Sequence, residues 1–139
     1  MTLEFVDTNV LLYAYDITAG DRHTRARDLI GRLGRNRTGA LSVQILQEFY
    51  VNAVRKIAVP LRPDSARERL RIFSRWVVHS PLPLDVVAAA EIAEQNSLSF
   101  WDAMVLRSAT KLDCPVLWSE DLNPGQRIAG VEIRNPFSS

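Results

Sequence analysis

The sequence predicts an α/β fold: a three-layer α/β/α sandwich around a short, mostly parallel sheet of about four to five strands. Three observations predict it. "LEFV" near the start, and "PVLW" and "VEI" near the end, are short apolar runs of the kind that make buried strands. Between them lie longer segments whose apolar residues recur at helical spacing. No internal repeat, low-complexity tract or long linker divides the chain, so residues 1–139 read as a single domain.

The elements follow in order. Residues 3–6 form a strand, which Asp7 ends, and residues 8–15 a short helix. A second helix runs over 22–34 with Leu29, Ile30 and Leu33 as its apolar stripe, and the glycines of "GRLGRNRTG" stop it. Residues 40–42 form a short strand, after which Ser42 caps a helix over 43–57. "VPLRP" breaks the chain, and Pro63 starts a helix that runs to about Val78. "SPLP" breaks it again before a helix over 84–96. Ser99 precedes a further helix over 101–112. The strands at 115–118 and 131–133 close the domain.

Apolar residues make up 47% of the 139 and charged residues 24%, as in a globular protein able to bury a core. No apolar run reaches the roughly 18 residues that span a bilayer, so no membrane partner is expected. Glu4 stands where a secretory signal would carry a basic segment. The single cysteine, Cys114, excludes an intrachain disulfide and fits a reducing cytoplasm. The net charge of +1 says nothing about a polyanionic partner. The cations are nearly all arginine, crowded over Arg22–Arg37 and Arg62–Arg75, with Lys56 and Lys111 the only lysines. Arginine forks match phosphate geometry, but a solvated helix face explains the clusters equally well.

Four acids carry the functional argument. In a parallel sheet, sites gather at the carboxyl ends of the strands. Asp7 follows the first strand and Asp121 follows the strand "PVLW", so both belong at that edge if the strands run parallel. Taken singly, Asp7 reads as a helix cap and Asp121 as a turn residue. Asp102 shares a helix face with Val105, Leu106 and Ala109, where an acid costs free energy unless it is compensated. Ser99 and Asp102 also match a capping pattern, which is compatible with a carboxylate aimed into a cleft. Glu48 lies off the apolar stripe of its helix, beside Gln44 and Asn52, where a solvated face is the plain reading. Asn52 is one turn away and suited to orienting the carboxylate. Acids gathered in one pocket repel each other, and a hard divalent cation removes that repulsion. Oxygen ligands without histidine or cysteine select Mg2+ or Mn2+, and such a site activates water against a phosphodiester.

"FVDTNVLLYAYD", the acid-bearing helix "SVQILQEFY", "LSFWDAMV" and "VLWSEDLNPGQRIAGVEIRNPF" resemble the PIN domain, in particular the VapC toxins of bacterial toxin–antitoxin pairs. The likeness covers nearly the whole chain, with the motifs in the family's order. It implies a PIN-like fold and a Mg2+- or Mn2+-dependent endoribonuclease. The acids matching Asp7, Glu48, Asp102 and Asp121 would form the catalytic site, with Asp7 and Asp102 as direct metal ligands. The small polar positions matching Thr8, Asn9 and Ser119 would support them. Many relatives carry a further acid where Asn123 stands, and its absence weighs against a second tightly held metal. The resemblance also implies an RNA substrate, a homodimer and a cognate antitoxin whose tail crosses the active-site groove.

Other residues read blandly. His23 and His79 are expected at the surface or at helix ends, Cys114 as a buried thiol, and Trp76 and Trp118 as core. Trp101 packs on Phe100 or stacks on a base near the cleft. Tyr13 and Tyr15 are candidates for a dimer face. The competing function in the same fold is a catalytically silent RNA-binding or scaffold protein, against which four retained acids argue. A phosphoacceptor domain would need an early acid pair and a late lysine that this chain lacks, and a flap-type DNA nuclease would need more chain.

Overall fold

The computed structural model describes residues 2–138. Its elements are β1 (Glu4–Val6), α1 (Thr8–Tyr13), α2 (Asp21–Asn36), β2 (Gly39–Ser42), α3 (Val43–Arg55) and α4 (Pro63–Phe73), then β3 (Val77–His79), α5 (Pro83–Asn96), α6 (Phe100–Lys111), β4 (Val116–Trp118), β5 (Arg127–Ile128) and β6 (Val131–Arg134). The strands form one sheet in the order β3-β2-β1-β4-β6-β5. Every pairing is parallel except that of β5 with β6.

Adjacent residues of a strand point to opposite faces, so burial of both reveals cover on both sides. Phe5 and Val6 of β1, Ala40 and Leu41 of β2, and Val116 and Leu117 of β4 are all buried. The helices supply that cover in two groups: α3 packs on α1 and α4, and α2 on α1, while α5 packs along α6, which touches β2, β4 and β6. The strand order positions the site. The chain winds outward from β1 through β2 to β3, then returns to lay β4 on the other side of β1. Ligands bind at such a switch point, beyond the carboxyl ends of its strands.

Two strands were not legible beforehand. The helix expected to reach Val78 stops at Phe73, and Val77–His79 pairs with β2 as an edge strand. Val77 and Val78 are β-branched, and sheet pairing outweighs the helical spacing that precedes them. Trp76, half-buried, lies across β2, so close that a Cβ on Gly39 would come within 2.2 Å of its ring. The two-residue β5 folds back on β6 through Ala129 and Gly130, both at positive φ (53° and 81°), as a tight hairpin turn requires. The sheet therefore has six strands.

His79 is buried, not at the surface as expected. Its Nδ1 lies 2.8 Å from Ser108 Oγ and its Nε2 lies 3.4 Å from Asp85 Oδ2, while Arg107 Nε donates to Asp85 Oδ1 at 2.9 Å. Burial holds the imidazole below its usual pKa. Ser108 has no exposed surface, so this network ties β3, α5 and α6 together and attacks nothing. Trp118 is half-buried against the core and donates to Glu4 Oε1 at 2.9 Å. Tyr15 packs edge-on against Phe49 and Phe73, and Tyr13 against Phe137, so both are engaged within the domain. Cys114 is buried as expected, which pushes its thiol up to about 12.

Candidate active site

β1 and β4 lie side by side with Val6 opposite Trp118, which sets Asp7 and Ser119 next to each other at the carboxyl edge. Asp7 is 7% exposed. It caps α1, its Oδ1 accepting from Thr8 N at 2.8 Å, and Ser119 Oγ donates to its Oδ2 at 2.8 Å. The cap reading and the site reading of Asp7 thus hold together. Ser119 Oγ also accepts from Asp121 N at 3.2 Å, fixing the loop that carries Asp121. Asn9, in the first turn of α1, donates to Asp121 Oδ2 at 2.5 Å. Behind this loop, Arg22 and Tyr13 both bind the Glu120 carboxylate, at 2.6 and 3.1 Å.

The other two acids come from helices. Glu48 projects from α3, and Thr8 Oγ1 donates to its Oε1 at 2.6 Å. Asn52 does not hold that carboxylate: its amide donates to the Glu48 backbone carbonyl, at 2.8 Å. Asp102 stands in the first turn of α6. Ser99 Oγ accepts from Asp102 N at 3.1 Å, so serine is the cap and the aspartate carboxylate is not needed for it. Among the described residues, that carboxylate accepts no hydrogen bond.

Asp7, Glu48, Asp102 and Asp121, from four separate elements, line one cleft of about 140 Å³ with Thr8, Asn9, Gln44, Asn52, Trp101 and Val105. Larger hollows exist, such as the apolar trough of about 540 Å³ between α3 and α4, but no acids converge there. Gln44, Glu48 and Asn52 lie four residues apart on one face of α3. That polar stripe lines the cleft and is half-buried, where the helical wheel alone suggested a solvated face. Gln44 Nε2 donates to Trp101 O at 3.3 Å, while its Oε1 is buried without a partner among the described residues. Sequence reasoning missed Gln44 as a cleft residue; its spacing from Glu48 was the available signal.

The acids sense one another. Burial, first, and then the charges of Asp121 and Asp102 push Asp7 up to about 6, against the lowering pull of Ser119 and Thr8. Burial and Asp102 also raise Asp121. The donor set is oxygen throughout and includes the unpartnered carbonyl of Gln44, as a hard divalent cation requires. Among the described residues no three acids are preassembled as a metal cage. A site with few protein ligands suits Mg2+, which keeps several waters. The arginine clusters are partly spent on ion pairs: Arg25 with Asp21, Arg32 with Glu4, Arg62 with Asp64 and Arg71 with Glu68.

The profile of the PIN domain matches residues 5–130. No curated protein sequence matches the chain. Among solved structures, the chain is similar to a toxin–antitoxin complex from Klebsiella pneumoniae, at 18% identity over 98% of this chain and 99% of that one, with a TM-score of 0.69. It is similar to VapBC2 from Rickettsia felis bound to a fragment of promoter DNA, at 18% identity over 96% and 98%, with a TM-score of 0.67. It also resembles VapC20 of Mycobacterium tuberculosis, described as a sarcin–ricin loop cleaving toxin, at 20% identity over 84% and 90%, with a TM-score of 0.64. At these identities the likenesses establish the shared fold.

Proposed function

The chain belongs to the PIN domain family, and from that premise we propose that it is a Mg2+- or Mn2+-dependent endoribonuclease, the toxin of a toxin–antitoxin pair. The observation that carries this reading is the meeting of Asp7, Glu48, Asp102 and Asp121 in one cleft at the switch point of the sheet. Asp7 and Asp102 would hold the cation. When bound, it neutralises the mutual repulsion of the acids, activates water and stabilises charge on the phosphoryl oxygens.

The chain's own residues do the rest. Ser119 and Thr8 hold both oxygens of Asp7, so its carboxylate presents one orientation to the cleft. Thr8 leaves Glu48 Oε2 open, and Asn9 leaves Asp121 Oδ1 open, among the described residues. These oxygens orient the attacking water and can accept its proton. Support of this kind typically changes activity by 10- to 100-fold when removed. The partners in this reading are an RNA substrate, a cognate antitoxin and a second copy of the chain; complexes of the VapBC type among the similar structures support the antitoxin. The place of action is the cytoplasm. Among the described residues no helix is long and apolar enough to cross a membrane.

The test is induced expression, with growth and new RNA 5′ ends read together. Asp7→Asn and Asp102→Asn should abolish both growth arrest and cleavage while circular dichroism stays that of a folded protein. Full toxicity in a folded Asp7→Asn, Asp102→Asn double variant would overturn the nuclease and leave a silent RNA-binding protein.

A further inference from the structure

Trp101 is 63% exposed, although its helical phase does not put it on a solvent face. Residues 101, 105 and 108 share one side of α6, and both Val105 and Ser108 are buried. Trp101 is exposed because this side, at the first turn of the helix, overhangs the acid cleft that Val105 lines below it. Among the described residues the indole has one aromatic neighbour, Phe100, edge to face at 5.2 Å. Its backbone is anchored to α3 by the Gln44 amide. A large apolar ring thus stands largely uncovered, on an anchored backbone, one residue from Asp102.

The opposite end of the cleft has a different character. Past Asn9 and Asn52 it opens into a second hollow of about 350 Å³, lined by both asparagines, Leu12, Tyr13, Lys56 and, as its one acid, Asp16, whose Oδ1 accepts from the Thr18 backbone and hydroxyl. Lys56 is exposed, lies outside both arginine clusters and, among the described residues, makes no ion pair. A ring at one end, acids in the middle and a free ammonium at the other end match a single strand of nucleic acid, which offers a base face and a phosphate charge in sequence.

We infer that the cleft is a track for unpaired RNA, in which a base beside the scissile phosphate stacks on Trp101 and a phosphate beyond the acids meets Lys56. The inference rests on the endoribonuclease reading and adds to it two contacts of this chain's own, a base stacked on Trp101 and a phosphate met by Lys56. A duplex cannot use the platform, because its bases stack on each other.

The experiment uses the full chain with Mn2+ and a short unpaired oligoribonucleotide spanning a mapped cleavage site. It adds a set of the same oligoribonucleotide with one base removed at each position in turn. Trp101→Ala should lower kcat/KM roughly 5- to 150-fold, the loss of one stacked base. Trp101→Phe should recover most of it. One abasic position should slow the parent protein by a similar factor and slow Trp101→Ala no further. Lys56→Ala should lower kcat/KM on every oligoribonucleotide and reduce the slope of log(kcat/KM) against log salt by about 0.7. The Mn2+-induced rise in melting temperature should be unchanged in both variants. Parent-like cleavage by Trp101→Ala, or a deficit that no abasic position absorbs, would overturn the platform while leaving the nuclease standing. If the parent protein cleaves no RNA at all, the nuclease reading has failed and the track falls with it.

Discussion

Replacing Asp7 by asparagine should make the metal-free protein more stable, and the gain should grow with pH. Burial and the neighbouring acids disfavour the charge of the Asp7 carboxyl and push it up to about 6 in the fold, from the ordinary 3.8 of an aspartate. A raised carboxyl pKa means that the folded state holds the proton more tightly than the unfolded one. Stability from this group is therefore fully present below about pH 4 and is lost as pH rises through about 6. At about 1.4 kcal/mol per pKa unit, this carboxyl costs the fold about 3 kcal/mol at pH 8, where it is ionised, and about 1.5 kcal/mol at pH 5, where folding obliges it to take up a proton. Asparagine never ionises. It keeps the shape, and its Oδ1 still accepts from Thr8 N to cap α1. Its amide, however, faces a Ser119 hydroxyl that used to donate, and that change costs about 1 kcal/mol.

The difference leaves Asp7→Asn more stable by about 2 kcal/mol at pH 8 and by about 0.5 kcal/mol at pH 5. In a chain of this size the larger figure is about 6–8 °C in melting temperature. Urea unfolding of both proteins in EDTA, at the two pH values, measures the gap. The acids other than Asp7 titrate in both proteins, so the difference isolates this carboxyl and its coupling to Asp121 and Asp102. A gap that stays flat, or a mutant less stable at both pH values, would refute the account of Asp7 as a strained buried charge. A residue whose removal stabilises the fold and abolishes activity is one retained at a stability cost.

The other expectations follow from the same contacts. Mn2+ should raise the melting temperature of the parent protein, since it binds the folded state alone, and most of that rise should vanish in Asp7→Asn and Asp102→Asn by differential scanning fluorimetry. Asp102→Asn in EDTA should be as stable as the parent or slightly more so, because the Ser99 hydroxyl supplies the cap, whereas Ser99→Ala should cost about 1 kcal/mol in chemical denaturation. Ser119→Ala leaves the buried Asp7 carboxylate short of a donor and should cost roughly 1–3 kcal/mol at neutral pH, less in acid where Asp7 is protonated. Gly39→Ala drives a methyl into the Trp76 ring and should destabilise by roughly 1–3 kcal/mol, with near-ultraviolet dichroism of the indole altered.

The stretches that the sequence did and did not disclose differ in where their information lies. Asp7 and Asp121 could be placed at one sheet edge because each follows a compact apolar run, and apolar runs in alternation with helices force a parallel sheet. Ser99 could be read as a cap because capping is a local contact within one helical turn. β3 was hidden because its three residues follow directly on a helical pattern and its partner β2 lies far back in the chain, and β5 because two residues are too few to show a period. His79 was misjudged for the same reason: its partners, Asp85 and Ser108, sit on two later helices, and only the fold brings them to it.

Gln44, Glu48 and Asn52 show the limit most clearly. A polar stripe on an amphipathic helix looks identical whether it faces solvent or a cleft, because periodicity reports polarity and not what stands opposite. What stands opposite here is decided by α1 and α6, whose Thr8 and Trp101 each make a hydrogen bond to that stripe. The cleft therefore depends on three helices meeting at the end of β1. A substitution that shifts α6 by a fraction of a turn should affect Asp102, Trp101 and the Gln44 contact together, although none of the three is altered.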